Sequence, residues 1–109
     1  MKLVFICSPF AGDMEGNAKR AQRYCRFAMM QGFAPFASHL HFPQFLDDTS
    51  PAEREIGINM GLAILEYCSE LWAFGQKTSP GMAVEIEKAG QLGIPIRRFT
   101  TACEEVPET

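Results

Sequence analysis

Apolar residues in this chain fall into two alternating kinds of segment. Short continuous runs, Leu3-Val4-Phe5-Ile6-Cys7 and Leu71-Trp72-Ala73-Phe74, read as strands buried on both faces. Between and after them, apolar residues recur at helical spacing. Ala18, Ala21, Cys25, Ala28 and Met29 follow Asn17, a natural N-cap, so a helix is expected from Asn17 to about Gln31, with Gly32 as its stop. Phe33 to Ala37 reads as a second strand, and Pro35 places it at a sheet edge. Ser50-Pro51 with Glu53 resembles another helix start, and Ile56, Met60, Ala63, Ile64 and Tyr67 carry it to about Cys68. A third helix spans Pro80 to about Leu92, and Ile94 to Phe99 supplies a fourth strand. From Thr100 the residues Glu104, Glu105, Pro107 and Glu108 read as a polar, mobile tail.

This alternation predicts an α/β fold, flavodoxin- or Rossmann-like, with a parallel sheet of about four strands and helices on both faces. A chain of 109 residues holds one domain, expected over 1–99, with a polar C-terminal tail over 100–109. Ligands of such sheets bind at the carboxyl ends of the strands, where the strand order switches. That rule gathers Ser8–Gly12, His39–Asp48 and Gly75–Glu85 around one cleft.

Composition narrows the function classes. Net charge is −3, so no broad surface for a nucleic acid polymer is expected. Apolar runs stop well short of the roughly 20 residues of a membrane span, and Met1 leads at once into a strand rather than a secretory signal. A cytoplasmic protein without a membrane partner is expected. Cys7, Cys25, Cys68 and Cys103 show no C-x-x-C spacing, so free thiols fit better than disulfides, and no metal site is assigned. The loop Cys7-Ser8-Pro9-Phe10-Ala11-Gly12 is neither a dinucleotide fingerprint nor a Walker A loop, and no cofactor is expected.

The most informative stretch is Ser79-Pro80-Gly81-Met82-Ala83-Val84-Glu85. Ser79 suits an N-cap and Pro80 the first helical position. Gly81 allows close approach where free N–H groups and the helix dipole favour an anion. Glu85 is a candidate nucleophile or general base toward a sugar carbon, or alternatively a solvent-facing residue paired with Lys88. Ser8 and Gly12 could offer a hydroxyl and open backbone to a ligand, or form a simple turn. His39 and His41 flank Leu40 in an extended-looking loop and could face one way, toward a base or phosphate, or simply pack that loop. Asp47 and Asp48 could contact ribose hydroxyls, or form a turn before a capped helix. Lys19, Arg23 and Arg26 read as a solvated helix face, and Trp72 and Phe74 as core.

At these residues the chain resembles the nucleoside 2-deoxyribosyltransferase-like superfamily, with its deoxynucleoside 5′-monophosphate N-glycosidase branch, and within it the small uncharacterised proteins. The resemblance runs from the first strand to Gly93-Ile94-Pro95-Ile96, and Ser79-x-Gly81-x-x-x-Glu85 is its most specific part. It implies a nucleoside or nucleotide ligand and N-glycosidic hydrolysis or deoxyribosyl transfer. By position Glu85 takes the nucleophile's role and Ser79 and Gly81 the phosphate-side contacts. Ser8, Pro9 and Phe10 frame the nucleoside, and His39 or Asp48 could supply a proton. A homo-oligomer is implied as well. Two positions depart from the pattern: the family's catalytic tyrosine falls on Phe5, and its second acid falls near Asn59 to Leu62, where no carboxylate stands. Those departures carry the alternative reading, a nucleotide-binding or protein-interaction module without chemistry.

Overall fold

The computed structural model describes residues 1–107; Glu108 and Thr109, the end of the expected tail, lie outside the described residues. Strand β1 spans Leu3–Cys7, β2 Ala34–Phe36, β3 Glu70–Phe74, β4 Ile96–Phe99 and β5 Glu105–Val106. The sheet order is β2-β1-β3-β4-β5. The first four strands pair in parallel, as expected, and β2 lies at the edge that Pro35 demanded. The fifth was not expected. Glu105–Val106 turns back antiparallel along β4, so this part of the polar tail belongs to the sheet. Its anchor is Arg97, whose Nε and Nη2 donate to the two Glu105 carboxylate oxygens at 2.9 and 2.7 Å. That forked pairing is invisible to hydrophobic patterning.

Helices α1 (Met14–Met30), α2 (Ser38–His41), α3 (Pro51–Leu65) and α4 (Pro80–Leu92) follow the strands. Helix α1 begins three residues before the predicted Asn17. Asp13 Oδ1 accepts from the Gly16 N–H at 3.1 Å and so acts as the cap. Asn17 instead lies inside the helix, where its side-chain amide donates to the Phe10 carbonyl at 2.9 Å and ties the β1 loop to α1. The loop expected to carry His39 and His41 is a helical turn, α2, followed by a 3₁₀ turn over Phe42–Gln44. Helix α4 keeps its predicted bounds, with Ser79 Oγ accepting from the Met82 N–H at 3.2 Å and Gly93 closing it in the left-handed region at φ 71°.

Residues of β1 alternate between the two faces of the sheet. Val4 and Ile6 join Tyr24, Trp72, Phe74 and Phe99 in the core beneath α1. Phe5 and Cys7 join Leu65, Leu71 and Met82 beneath α3 and α4. Trp72 and Phe74 are fully buried, and side chains of this size contribute roughly 2–3 kcal/mol each when removed from water. With both faces covered, the free carboxyl ends of β1 and β3 become the place where side chains can meet a ligand.

Candidate functional site

A cavity of about 420 Å³ opens at those strand ends, between the β1 loop, α2, α3 and the start of α4. Its lining includes Ser8, Phe10, His39, Asp48, Ser79, Gly81 and Glu85. Seven of the nine residues expected at the site thus share one wall system. The other two do not: Pro9 lines a separate cavity on the α1 side, and Gly12 is an exposed turn residue at φ 96° that lines neither.

Helix α4 forms one end of the cavity. Pro80 has no N–H, Met82 gives its own to Ser79 Oγ, and Gly81 is left with an unpaired N–H in the first turn. A Cβ added at Gly81 would meet no atom within 4 Å, so the space over it is open to a ligand. Glu85 follows one turn later and is half-buried. Desolvation pushes its carboxyl up to about 7, tempered by the adjacent Cys7 thiol. Lys88, its alternative partner by spacing, instead sits 3.9 Å from Glu66. Glu85 therefore has no ion pair among the described residues, and holds a carboxyl poised between its acid and base forms near neutrality.

Cys7 is a free, buried thiol, as expected. Alternation along β1 puts it on the same face as Phe5, and it ends the strand against α4, with Sγ 3.8 Å from the Met82 carbonyl. Burial and the neighbouring Glu85 carboxyl push the thiol well above its ordinary range, so it stays protonated and can donate. Phe5 is fully buried two residues earlier, packed on Phe36 with ring centroids 5.8 Å apart.

The opposite wall is set by His39. Its Nε2–H donates to the Ser8 carbonyl at 2.6 Å, and its ring stacks on Phe10 at 4.8 Å between centroids. Burial lowers its pKa, against the raising effects of the Ser8 contact and Asp48, so the ring is neutral in neutral solution. His41 turns elsewhere, packing on Phe42 and Phe45, because residues two apart on a helix point in nearly opposite directions, where an extended loop would align them. Asp47 spends its carboxylate on the Thr49 N–H and hydroxyl, a local turn. Asp48 remains in the cavity wall, joined by two residues not singled out by motif, Glu53 and Arg54. Glu53 arrives there as the third residue of α3, where it also accepts from the Asp47 N–H at 3.1 Å. Ser38 Oγ is buried on this wall without a hydrogen-bond partner. Among the described residues no group of three potential ligands is placed to hold a metal, and no helix is long and apolar enough to cross a membrane.

Solved structures share this architecture. A 2-deoxyribosyltransferase from Bacillus psychrosaccharolyticus, described as a biocatalyst for the synthesis of antiviral and antitumoral nucleosides, superposes with a TM-score of 0.73 at 17% identity. The match covers 95% of this chain and 76% of that one. A 2-deoxyribosyltransferase from Leishmania mexicana gives a TM-score of 0.63 at 15% identity, covering 92% of this chain and 65% of that one. The fold is nucleoside 2-deoxyribosyltransferase-like. No curated protein matches the sequence. One family profile matches residues 2–99, nearly the whole described chain. The protein belongs to that family, a domain of unknown function (DUF7768).

Proposed function

We propose that the cavity binds a nucleoside or nucleotide and that Glu85 reacts with its anomeric carbon. The observation that carries this reading is the desolvated Glu85 carboxyl, without an ion pair, beside the open first turn of α4. A sugar placed over Gly81 has the carboxyl on one side and the Phe10–His39 stack available to a base on the other. A 5′-phosphate, when present, meets the Gly81 N–H, the Ser79 hydroxyl and the α4 dipole.

In the first step a Glu85 oxygen bonds to the anomeric carbon as the carbon–nitrogen bond breaks, and the base leaves with the bonding electrons. The base needs a proton. His39 has committed its Nε2–H to Ser8, so the carboxyl groups of Asp48 and Glu53 are the better donors. Water, or a second base acting as acceptor, then attacks the same carbon, returns a proton to the carboxylate that served as acid, and breaks the ester bond to release Glu85 as carboxylate. The cycle uses no cofactor. A homo-oligomer belongs to the same reading, because Ile58 and Val84, 39% and 42% exposed at the cavity rim, gain cover from a second copy.

A panel of deoxynucleosides and their 5′-monophosphates, assayed by chromatography for free base with and without acceptor bases, tests the chemistry. Release or exchange by the wild type and its loss in Glu85→Gln supports the proposal. One observation favours a second reading, a binding module without turnover: Phe5 carries no hydroxyl, and Asn59 to Leu62 contribute nothing to the cavity wall. That module shows ligand-dependent thermal stabilisation and no release.

A further inference from the structure

A second cavity, of about 360 Å³, lies across the β1 loop from the first, on the α1 face of the sheet. We propose that it is a separate site for the phosphate group of a small phosphorylated molecule. The inference does not depend on the chemistry of Glu85.

The lining carries Arg20 and Lys77 and no carboxylate. Arg20 is partly engaged, with Nη2 3.2 Å from Asp13 Oδ2 and 2.7 Å from Asn17 Oδ1. Lys77 forms no ion pair among the described residues, so it brings an uncompensated positive charge. Three aliphatic hydroxyl groups line the wall with it, besides the Tyr24 phenol. Ser8 is 1% exposed, and its Oγ has no hydrogen-bond partner. Ser8 follows directly on β1, and alternation continued from Val4 and Ile6 assigns its side chain to the α1 face, where it lines this cavity. Thr100 Oγ1 already accepts from the Ala102 and Glu104 N–H groups, each at 3.2 Å, so its proton is what remains to offer. Thr101 adds a third hydroxyl at the rim.

A buried hydroxyl with no partner costs free energy unless something completes it. Arg20, Lys77 and the hydroxyls of this wall have protons to give, so an acceptor is the partner that suits it best. A phosphate dianion presents several acceptor oxygens in a tetrahedral array and suits such a wall better than a single carbonyl. The cavity exceeds the size of the ion, and Tyr24 extends its wall toward the organic part of the ligand. Ser8 lines both cavities, its carbonyl held by His39 on one side and its hydroxyl free on the other. Occupancy of this site therefore bears on the Phe10–His39 wall.

Amide shifts in the ¹⁵N-labelled full chain, titrated with inorganic phosphate and then glycerol phosphate against sodium chloride of equal ionic strength, test the site. Saturable shifts at Gln76, Lys77, Thr100 and Thr101 are expected from both probes, retained in Glu85→Gln. Lys77→Gln, a change at an exposed side chain, should weaken both by about tenfold or more, the usual scale of one charge-assisted contact. Shifts confined to Gly81 and Met82 would place phosphate on α4 and overturn the proposal. So would shifts matched by chloride, no binding of glycerol phosphate, or unaltered affinity in Lys77→Gln.

Discussion

His39 Nε2 lies 2.6 Å from the Ser8 carbonyl oxygen, joining two residues 31 positions apart across the cavity mouth. The contact fixes which ring nitrogen carries the proton, and the stack on Phe10 fixes the ring plane. His39→Ala should cost about 1–2 kcal/mol of stability through the lost hydrogen bond and ring contact. Its depressed pKa adds a pH signature. The folded state holds the ring's proton less tightly than the unfolded state, so wild-type stability falls as pH drops below the ordinary 6.5, and His39→Ala should flatten that slope. Denaturant melts between pH 5 and 8 read both effects; a parallel pair of curves would contradict the assignment.

Glu85 has the opposite sense. Its folded carboxyl binds a proton more tightly than an unfolded one, so its contribution is favourable at low pH and is lost as pH rises from about 4.5 to about 7. Above that range the buried charge is a cost. Glu85→Gln should therefore be more stable than wild type at pH 8 by about 1–3 kcal/mol, with the difference vanishing near pH 4.5. Turnover, which needs the carboxylate, should rise with pH through the same interval. A destabilised Glu85→Gln at pH 8 would show that the carboxylate is paired rather than stranded.

Much of this was legible in the sequence, for reasons that can be traced. Continuous apolar runs located β1 and β3, and Ser79-Pro80 placed the start of α4, because caps act locally. The misses rest on side-chain contacts that the spacing of apolar residues does not encode. Strand β5 depends on the Arg97–Glu105 fork, and the early start of α1 on Asp13 rather than Asn17. His39 and His41 part company because packing of Phe42 against α3 winds their loop into helix. The strand-to-cleft rule gathered loops that share one cavity but could not see Cys7 against Glu85 or Glu53 in the wall. Alternation from Phe5 was the available signal for Cys7.

Gly61 on α3 passes close to α2. A Cβ built there would lie 2.8 Å from Ser38 Oγ, a distance real side chains do not keep. Gly61→Ala should destabilise by about 1–2 kcal/mol, since the serine must move within a packed wall. Removing that hydroxyl as well, in Ser38→Ala/Gly61→Ala, should restore stability and add part of alanine's helix advantage over glycine, about 1 kcal/mol. Thermal melts of both variants decide the matter; a stabilised Gly61→Ala alone would contradict the close approach.

Arg97 holds β5 through Glu105, reaches Glu70 at 3.4 Å and covers the Trp72 ring at 4.9 Å. Arg97→Ala should release β5 while leaving β1 and β3 intact. Hydrogen exchange would then quicken at Glu105 and Val106, with protection kept at Leu71 to Phe74. Unchanged exchange at β5 would mean that the backbone ladder alone secures it.

Asp48 and Glu53 should differ from Glu85 in how they fail. Asp48→Asn and Glu53→Gln are expected to slow base release about 10²-fold or more in whichever carries the proton, with ligand affinity largely kept. Substrates whose bases leave readily should be least affected. Equal loss for good and poor leaving groups would exclude both as acids.

The most direct test is to catch the sugar on the protein. Wild type mixed with a reactive deoxynucleoside, or its 5′-monophosphate, is quenched in acid during turnover, digested and mapped by mass spectrometry. A deoxyribosyl adduct is expected on the peptide bearing Glu85, absent in Glu85→Gln. Base release with the label on another residue, or with an unmodified protein and undiminished rate in Glu85→Gln, would contradict it.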